Sequence, residues 1–381
     1  MYPDLLGVFG VTLYGAGFER LLWGLLALLM VWGIISSILI FRKGRRYEGG
    51  IQGIIVLVIL IWAASRFVST FSPDYALVFN EPLVLHTYAF CVLIGVVCGT
   101  LTAMKMAAIR GREPREMLRL CVFLVLFGFL GARAAHVIVD NSTYWNACFH
   151  PEAIGADSAD CLRILNFAEG GLTFYGGVIA GLIIIALFLF RRYRRGVPVE
   201  ALSVMDVLGG ALAVSHAFGR LGCLAAGCCW GAVTTGTIGV RYGRDSFAFA
   251  ELVKDPQFHD TMMKTGETPI VHATQLYESL GEFAIYGVLW IMLIKKVKHG
   301  RMAGTWLIGY GVLRFIVEMM RDDSERGYYF EHSIQSLNSF LAVPPEHATI
   351  LSTSQGIALG MIVMGIVVLV ISARAKQPDC E

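Results

Sequence analysis

Arg220 is the residue around which the candidate chemistry gathers. It ends an apolar segment and is followed by a turn rich in glycine and cysteine, within residues 214–231. Charge at membrane depth is costly and usually marks a functional site. Arg133 and Arg314 are expected at a similar depth with few carboxylates near them, and arginine binds phosphate through two parallel hydrogen bonds. The three cations therefore predict a site for a phospholipid headgroup.

Arg314 belongs to a row of polar residues spaced four apart, with Tyr310 before it and Glu318 after it. On a helix these residues share one face, and Arg314 can pair with Glu318. The alternative is a neutralised structural pair that only fixes helix packing. For Arg133 the alternative is a side chain that extends to the membrane interface.

A second polar row opens another apolar segment, where His272, Gln275 and Glu278 share a helix face. These residue types could supply a base and hydrogen bonds at the edge of the membrane. The alternative is a helix N-terminus capped by Thr274, with Glu278 favourably placed for the helix dipole. Glu282, one turn deeper, is expected to pair internally.

Glycine pairs at 170–171 and 176–177 allow the backbone to approach a ligand or a neighbouring helix, and Tyr175 stands between them. Such glycines are also common at helix contacts in membranes. His86 and Tyr88 open an earlier segment, where they could equally be interfacial anchors. Two further histidines are expected to be structural, His136 and His216.

Three cysteines follow Arg220 closely, at Cys223, Cys228 and Cys229. They could form a redox site, a metal site or a tight turn of small residues. We expect no metal site, because no histidine has zinc-finger spacing with them. Cys148 and Cys161 could form a structural disulfide.

Composition indicates a polytopic membrane protein. The chain has 381 residues, of which 56% are hydrophobic, and a mean hydropathy of +0.64, which is too apolar for a soluble domain. The net charge of +2 is uninformative by itself, and no cleavable signal peptide is visible. We predict an all-α transmembrane helical bundle of about nine spans, at 20–41, 51–67, 86–105, 117–139, 172–190, 202–222, 275–294, 302–320 and 354–373.

Charges in the connecting loops alternate, which predicts the topology. Basic loops are cytoplasmic by the positive-inside rule, so the N-terminus lies outside and the C-terminus lies in the cytoplasm. All the candidate polar residues then lie near the outer face. We predict an accessory helix pair at 1–80, a core at 81–325 and a last loop and helix at 326–381. Within the core, the outer loop at 223–274 is expected to form a small periplasmic subdomain with some strand at 237–242.

The sequence resembles the prolipoprotein diacylglyceryl transferase family over roughly 80–325. The resemblance rests on six ordered motifs: His86-Thr87-Tyr88, Gly131-Ala132-Arg133, 170–177, Gly219-Arg220-Leu221-Gly222, 272–278 and 309–318. It implies an enzyme of the bacterial inner membrane that transfers the diacylglyceryl group of phosphatidylglycerol to the lipobox cysteine of prolipoproteins. A thioether forms and glycerol phosphate leaves. No cofactor and no nucleic-acid partner are expected.

The resemblance also implies residue roles. Arg220 and Arg314 bind the phosphate, and His272 or Glu278 acts as the base or supports it. Tyr175 occupies a position at which the family usually has a histidine that assists the base. The remaining substrate-binding candidates are Arg133, Tyr88, His86, Gln275, Tyr310, Glu318, Gly176 and Gly177.

The chain departs from the family pattern after Arg220. The family has asparagine and then Asn-Gly-Glu, where this chain has Cys223, Ala226, Gly227 and Cys228. A tyrosine with a pKa of about 10 is a poor base at neutral pH. Two alternatives follow: a paralogue with the same lipid site but another acceptor, and a membrane thiol–disulfide protein. A thiol–disulfide protein usually carries a CxxC pair, which this chain lacks.

Overall fold

The computed structural model describes residues 87–154, 159–165, 171–196, 201–236, 239–322, 327–347 and 350–375. The described helices are α1 (Thr87–Ile109), α2 (Pro114–Val139), α3 (Asn141–Phe149), α4 (Phe174–Arg194), α5 (Ala201–Ala226), α6 (Phe247–Leu252), α7 (Pro256–Thr265), α8 (Thr274–Ile294), α9 (Arg301–Glu318), α10 (Gln335–Leu341) and α11 (Thr353–Arg374). One antiparallel pair joins strands β1 (Tyr328–His332) and β2 (Ile350–Ser352).

The described part is a helical membrane bundle. Seven of the nine predicted spans fall within it, and each forms a helix. Six of these are long and apolar enough to cross a membrane: α1, α2, α4, α5, α8 and α11. Helix α9 falls outside that set because its 18 residues include Arg301, Arg314 and Glu318. The predicted spans at 20–41 and 51–67, and the predicted accessory pair at 1–80, lie outside the described residues.

Helix α5 lies at the centre of the bundle. In the most apolar stretch of each helix, 61% of the residues of α5 are buried, whereas only 6% of those of α4 are. It packs against α1, α8 and α9. Helix α4 packs against α2, and its exposed leucines and isoleucines suit contact with lipid chains.

Small residues bring the helices close together. The Ser215 hydroxyl of α5 donates to the carbonyl of Gly95 in α1 at 2.8 Å. A Cβ built at Gly131 of α2 would lie 2.7 Å from the carbonyl oxygen of Gly176 in α4. Close backbone approach of this kind drives helix association in lipid, where the hydrophobic effect between helices is absent.

Polar contacts fix the end of the bundle that carries the basic loops. The buried carboxylate of Asp206 in α5 accepts hydrogen bonds from the backbone N–H groups of Gly300, at 2.9 Å, and Ala303, at 2.8 Å. Arg110 lies 3.5 Å from the same carboxylate. Helices α1, α5 and α9 are therefore joined at this end, here called the basic end.

The opposite end, here called the site end, carries the segment between α5 and α8. Helices α6 and α7 lie in this segment, and its apolar cluster contains Trp230, Tyr242, Ala248 and Val271. The strand expected at 237–242 is not formed by its described residues: Val240 makes only an isolated bridge with Val271. Residues 237 and 238 lie outside the described part. The described strands occur later in the chain, and the predicted domain boundaries stay predictions.

Candidate active site

Glu278 is the centre of a buried polar cluster at the site end. It lies in the second turn of α8, and its side chain is 2% exposed. Arg220 approaches it from the last turns of α5 with two nitrogens: Nε lies 3.1 Å from Oε2, and a terminal nitrogen donates to Oε1 at 3.1 Å. This ion pair, with one hydrogen bond, joins α5 to α8.

Helix α9 adds two groups to the same carboxylate. The Arg314 guanidinium lies 3.4 Å from Oε2 of Glu278, and the Tyr310 hydroxyl donates to Oε1 at 3.3 Å. Arg314 also lies 2.7 Å from Glu318, four residues on, which confirms the predicted pair. Two arginines from different helices therefore share one buried glutamate.

Glu318 extends the cluster toward α11. It accepts a hydrogen bond from the Ser352 hydroxyl at 3.0 Å, and Arg321 lies 3.9 Å from it. Arg314 also donates to Ser354 at 3.2 Å. These serines lie at the start of α11, so the N-terminus of that helix closes one side of the site.

The expectation of arginines with few carboxylates nearby is wrong. Arg220 and Arg314 alternate with Glu278 and Glu318, and Arg321 lies 3.9 Å from Glu318. The physical reason is that a buried guanidinium requires a paired countercharge.

His216 completes the cluster one turn before Arg220. Its Nδ1 lies 2.9 Å from Glu282, its Nε2 lies 3.9 Å from Glu278, and its ring meets Tyr310 edge-on. The expected internal pairing of Glu282 is present. Sequence reasoning missed His216 as a site residue, although its spacing of four from Arg220, like that of Glu282 from Glu278, is a usable signal.

The cysteine-rich turn follows α5 directly. Gln275 donates to the carbonyl of Cys228 at 2.6 Å, so this candidate binding residue fixes the turn. Thr274 donates to the carbonyl of Cys229 at 2.8 Å, and its side chain does not cap α8. Tyr88 of α1 packs on Gly222 beside this turn and is about half exposed.

His272 is buried, and among the described residues it makes no hydrogen bond or ion pair with Arg220 or Arg314. Its Nδ1 lies 3.3 Å from the Tyr277 hydroxyl, and its ring also approaches the backbone carbonyls of Leu341 and Ala342. Burial lowers the pKa of its imidazole. It therefore joins the inter-helix segment to α10.

Arg133 and the glycine pair occupy a separate contact between α2 and α4. Arg133 is buried and donates to the carbonyls of Ile164, Arg163 and Gly171 at 2.9, 2.8 and 3.1 Å. Gly176 packs against the α2 backbone, and Gly177 lies near it.

Tyr175 is 57% exposed and, among the described residues, makes no hydrogen bond or ring contact with the arginine cluster. The candidates His86 and Gly170 lie outside the described residues. His136 lies edge-on to Tyr144 and beside Gly171. The predicted Cys148–Cys161 disulfide is present.

Comparisons with known proteins point to one family. The family model described as prolipoprotein diacylglyceryl transferase matches residues 74–371. Phosphatidylglycerol–prolipoprotein diacylglyceryl transferase 2 of Clostridium perfringens is 28% identical, over 68% of this chain and 88% of its own length. The Clostridium tetani and Rhodococcus jostii transferases are 27% and 31% identical, over 77% and 66% of this chain and 96% and 66% of their own lengths. The chain belongs to the prolipoprotein diacylglyceryl transferase family.

Proposed function

We propose that the protein transfers the diacylglyceryl group of phosphatidylglycerol to the lipobox cysteine of prolipoproteins. The observation that carries this proposal is the pair of arginines, Arg220 and Arg314, held by the shared carboxylate of Glu278. The family and the names of its relatives supply the substrate class. The products are a thioether and glycerol phosphate.

The arginines bind the phosphate and stabilise the leaving group. Arg220 donates one terminal nitrogen to Glu278 at 3.1 Å, and its buried Nε has no hydrogen-bond partner within the described residues. A guanidinium fixed in this way is preorganised for the negative charge that develops as the bond between carbon and phosphate oxygen breaks. Tyr310 and Glu318 hold the arginines in place, and Tyr88 lines the approach of the headgroup.

His216 is the best candidate for the base. Glu278 is already bound by two arginines, His272 faces Tyr277, and Tyr175 is exposed on α4. His216 is 31% exposed, and Glu282 orients its Nδ1 at 2.9 Å. An imidazole oriented by a carboxylate can accept the proton of a thiol with a pKa of about 8.5.

The site end faces the periplasm in this proposal, and the protein resides in the inner membrane. The basic loops at the opposite end of the bundle support a cytoplasmic basic end by the positive-inside rule. The N-terminus then lies outside and the C-terminus inside. Phosphatidylglycerol enters from the bilayer, and the prolipoprotein signal peptide brings the acceptor cysteine.

Transfer in a reconstituted system tests the proposal. The protein in bilayer discs that contain phosphatidylglycerol is incubated with a lipobox peptide, and the peptide mass is measured. The expected result is a diacylglyceryl adduct, lost in Arg220→Gln and retained in Arg301→Gln. Arg301 is a matched control because it is exposed at the basic end. Binding of lipid and peptide without an adduct would contradict the proposal.

A further inference from the structure

Three thiols converge beside the arginine cluster. The sulfur atoms of Cys223, Cys228 and Cys229 all lie within 4.8 Å of one another. When sulfur atoms bind one tetrahedral zinc ion, each Zn–S bond is about 2.3 Å long and two sulfurs are roughly 4 Å apart. Small side-chain rotations therefore suffice to bring the three thiolates onto one ion.

The backbone of the turn is constrained in this arrangement. Cys229 has φ 58°, in the left-handed region that residues with a Cβ rarely adopt, and Gly227 has φ 67°. The N–H of Cys228 donates to the carbonyl of Cys223 at 3.1 Å. Gln275 and Thr274 hold the carbonyls of Cys228 and Cys229 at 2.6 and 2.8 Å. Unfavourable backbone of this kind persists only where its surroundings enforce it, and it clusters at functional sites.

Contrary to the expectation of no metal site from the histidine spacing, we infer that Cys223, Cys228 and Cys229 bind a zinc ion as thiolates and leave its fourth position for the acceptor thiol. Soft thiolate ligands select zinc among the common divalent ions. Three protein ligands with an open position are the arrangement of catalytic zinc sites, whereas structural sites are closed by a fourth ligand. No histidine or carboxylate of the described part joins the three sulfurs, and the thiols are only partly buried.

The inference rests on the proposed function for the identity of this fourth ligand. An acceptor thiol with a pKa of about 8.5 is mostly protonated at neutral pH. On zinc it ionises, and its proton passes to His216. The sulfur lone pair then forms the bond to the glycerol carbon while the bond from that carbon to the phosphate oxygen breaks. Glycerol phosphate leaves with the electrons of that bond, and the thioether dissociates from the zinc.

Zinc content tests the site without any transfer assay. The full chain is purified in detergent without chelator or added metal, and its metals are measured by mass spectrometry. We expect about one zinc ion per chain, lost in the triple variant Cys223→Ser, Cys228→Ser, Cys229→Ser. Cys98→Ser is the matched control, because Cys98 is a free thiol of α1 outside the group, and it should retain both zinc and activity.

Cobalt exchange provides a second readout that needs no variant to fold. Cobalt in the site should show sulfur-to-metal charge-transfer absorption, and a lipobox peptide should change that spectrum. The same peptide with serine in place of its cysteine should not. Absence of metal with three titratable thiols, copper in place of zinc, or a disulfide within the group would overturn the inference.

The two proposals fail in different ways. Zinc binding and a cobalt spectrum that responds to the peptide, without diacylglyceryl transfer, would contradict only the proposed function. Transfer by a protein without zinc, unchanged in the triple variant, would contradict only the zinc site.

Discussion

Glu278 is a single carboxylate on which two arginines and a tyrosine depend for their positions. In Glu278→Gln, Arg220 and Arg314 lose their shared countercharge while both remain buried. Removal of one partner of a buried ion pair costs about 3–5 kcal/mol. Misplacement of the arginines by about 1 Å should lower transfer about 100-fold. Melting temperature in detergent and the rate of peptide modification measure the two effects.

Glu251→Gln is the matched control for this variant. Glu251 pairs with Lys254 at 2.6 Å on an exposed surface. Such pairs contribute at most about 1 kcal/mol, so both measurements should stay close to those of the parent protein. An unchanged melting temperature in Glu278→Gln would contradict the central role of this carboxylate.

His216→Gln separates a base from a structural histidine. Glutamine can keep a hydrogen bond to Glu282 but cannot accept a proton in this pH range. If His216 accepts the thiol proton, the variant should lose about 10²–10⁴ of the rate, with lipid binding unchanged. His259→Gln, an exposed histidine of α7, is the control. A loss of lipid binding alongside the loss of rate would instead indicate a structural role.

His272 should make the stability of the fold depend on pH. Burial lowers its pKa from the ordinary value of 6.5. Below pH 6.5 the unfolded chain therefore binds a proton at this histidine more readily than the folded chain does. The free energy of unfolding should therefore fall as the pH drops below about 6.5. In His272→Gln this contribution is absent. Melting temperatures of the two proteins between acid and neutral pH give the difference, and parallel curves would contradict the prediction.

At the residue scale, spacing in the sequence predicted contacts within a helix but not contacts between helices. Arg314 and Glu318 pair as expected because residues four apart on a helix are neighbours. The contact from Arg220 to Glu278 joins residues 58 apart in sequence, so only the packing of α5 on α8 reveals it. The contact of His216 with Glu282, 66 residues away in sequence, likewise depends on that packing, although the spacing of His216 from Arg220 could have indicated its helix face.

At the scale of helices, the contact of α2 with α4 depends on residues without side chains. A Cβ on Gly176 would clash with the Gly131 carbonyl and with Ala135. A Cβ on Gly181, one turn further along α4, would meet only Leu124 at 3.8 Å. We expect Gly176→Ala to cost about 1–3 kcal/mol and Gly181→Ala to have little effect. Melting of the two variants in detergent compares the same substitution at both sites, and equal melting temperatures would contradict the prediction.

Hydropathy predicted helices more reliably than it predicted the connecting segments. All seven spans expected within the described part form helices, because an apolar segment in lipid must satisfy its own backbone hydrogen bonds. The segment between α5 and α8 contains no helix long enough to span a membrane, so this constraint does not determine its structure. Weak alternation at 237–242 therefore suggested a strand, whereas Val240 makes only a bridge to Val271.

At the scale of the whole molecule, the proposed topology places the two ends of the bundle in different compartments. Lys264 of α7 belongs to the segment at the site end, and Lys298 lies in the loop between α8 and α9 at the basic end; both are exposed. If the site end is periplasmic, Lys264→Cys should react in intact spheroplasts with a maleimide that cannot cross membranes. Lys298→Cys should react only after permeabilisation. Each signal is the increase over the parent chain, whose own thiols react in both samples. The opposite pattern would invert the topology and place the phosphate site in the cytoplasm, where exported signal peptides do not present their cysteine. The labelling pair therefore tests the orientation on which delivery of the acceptor depends.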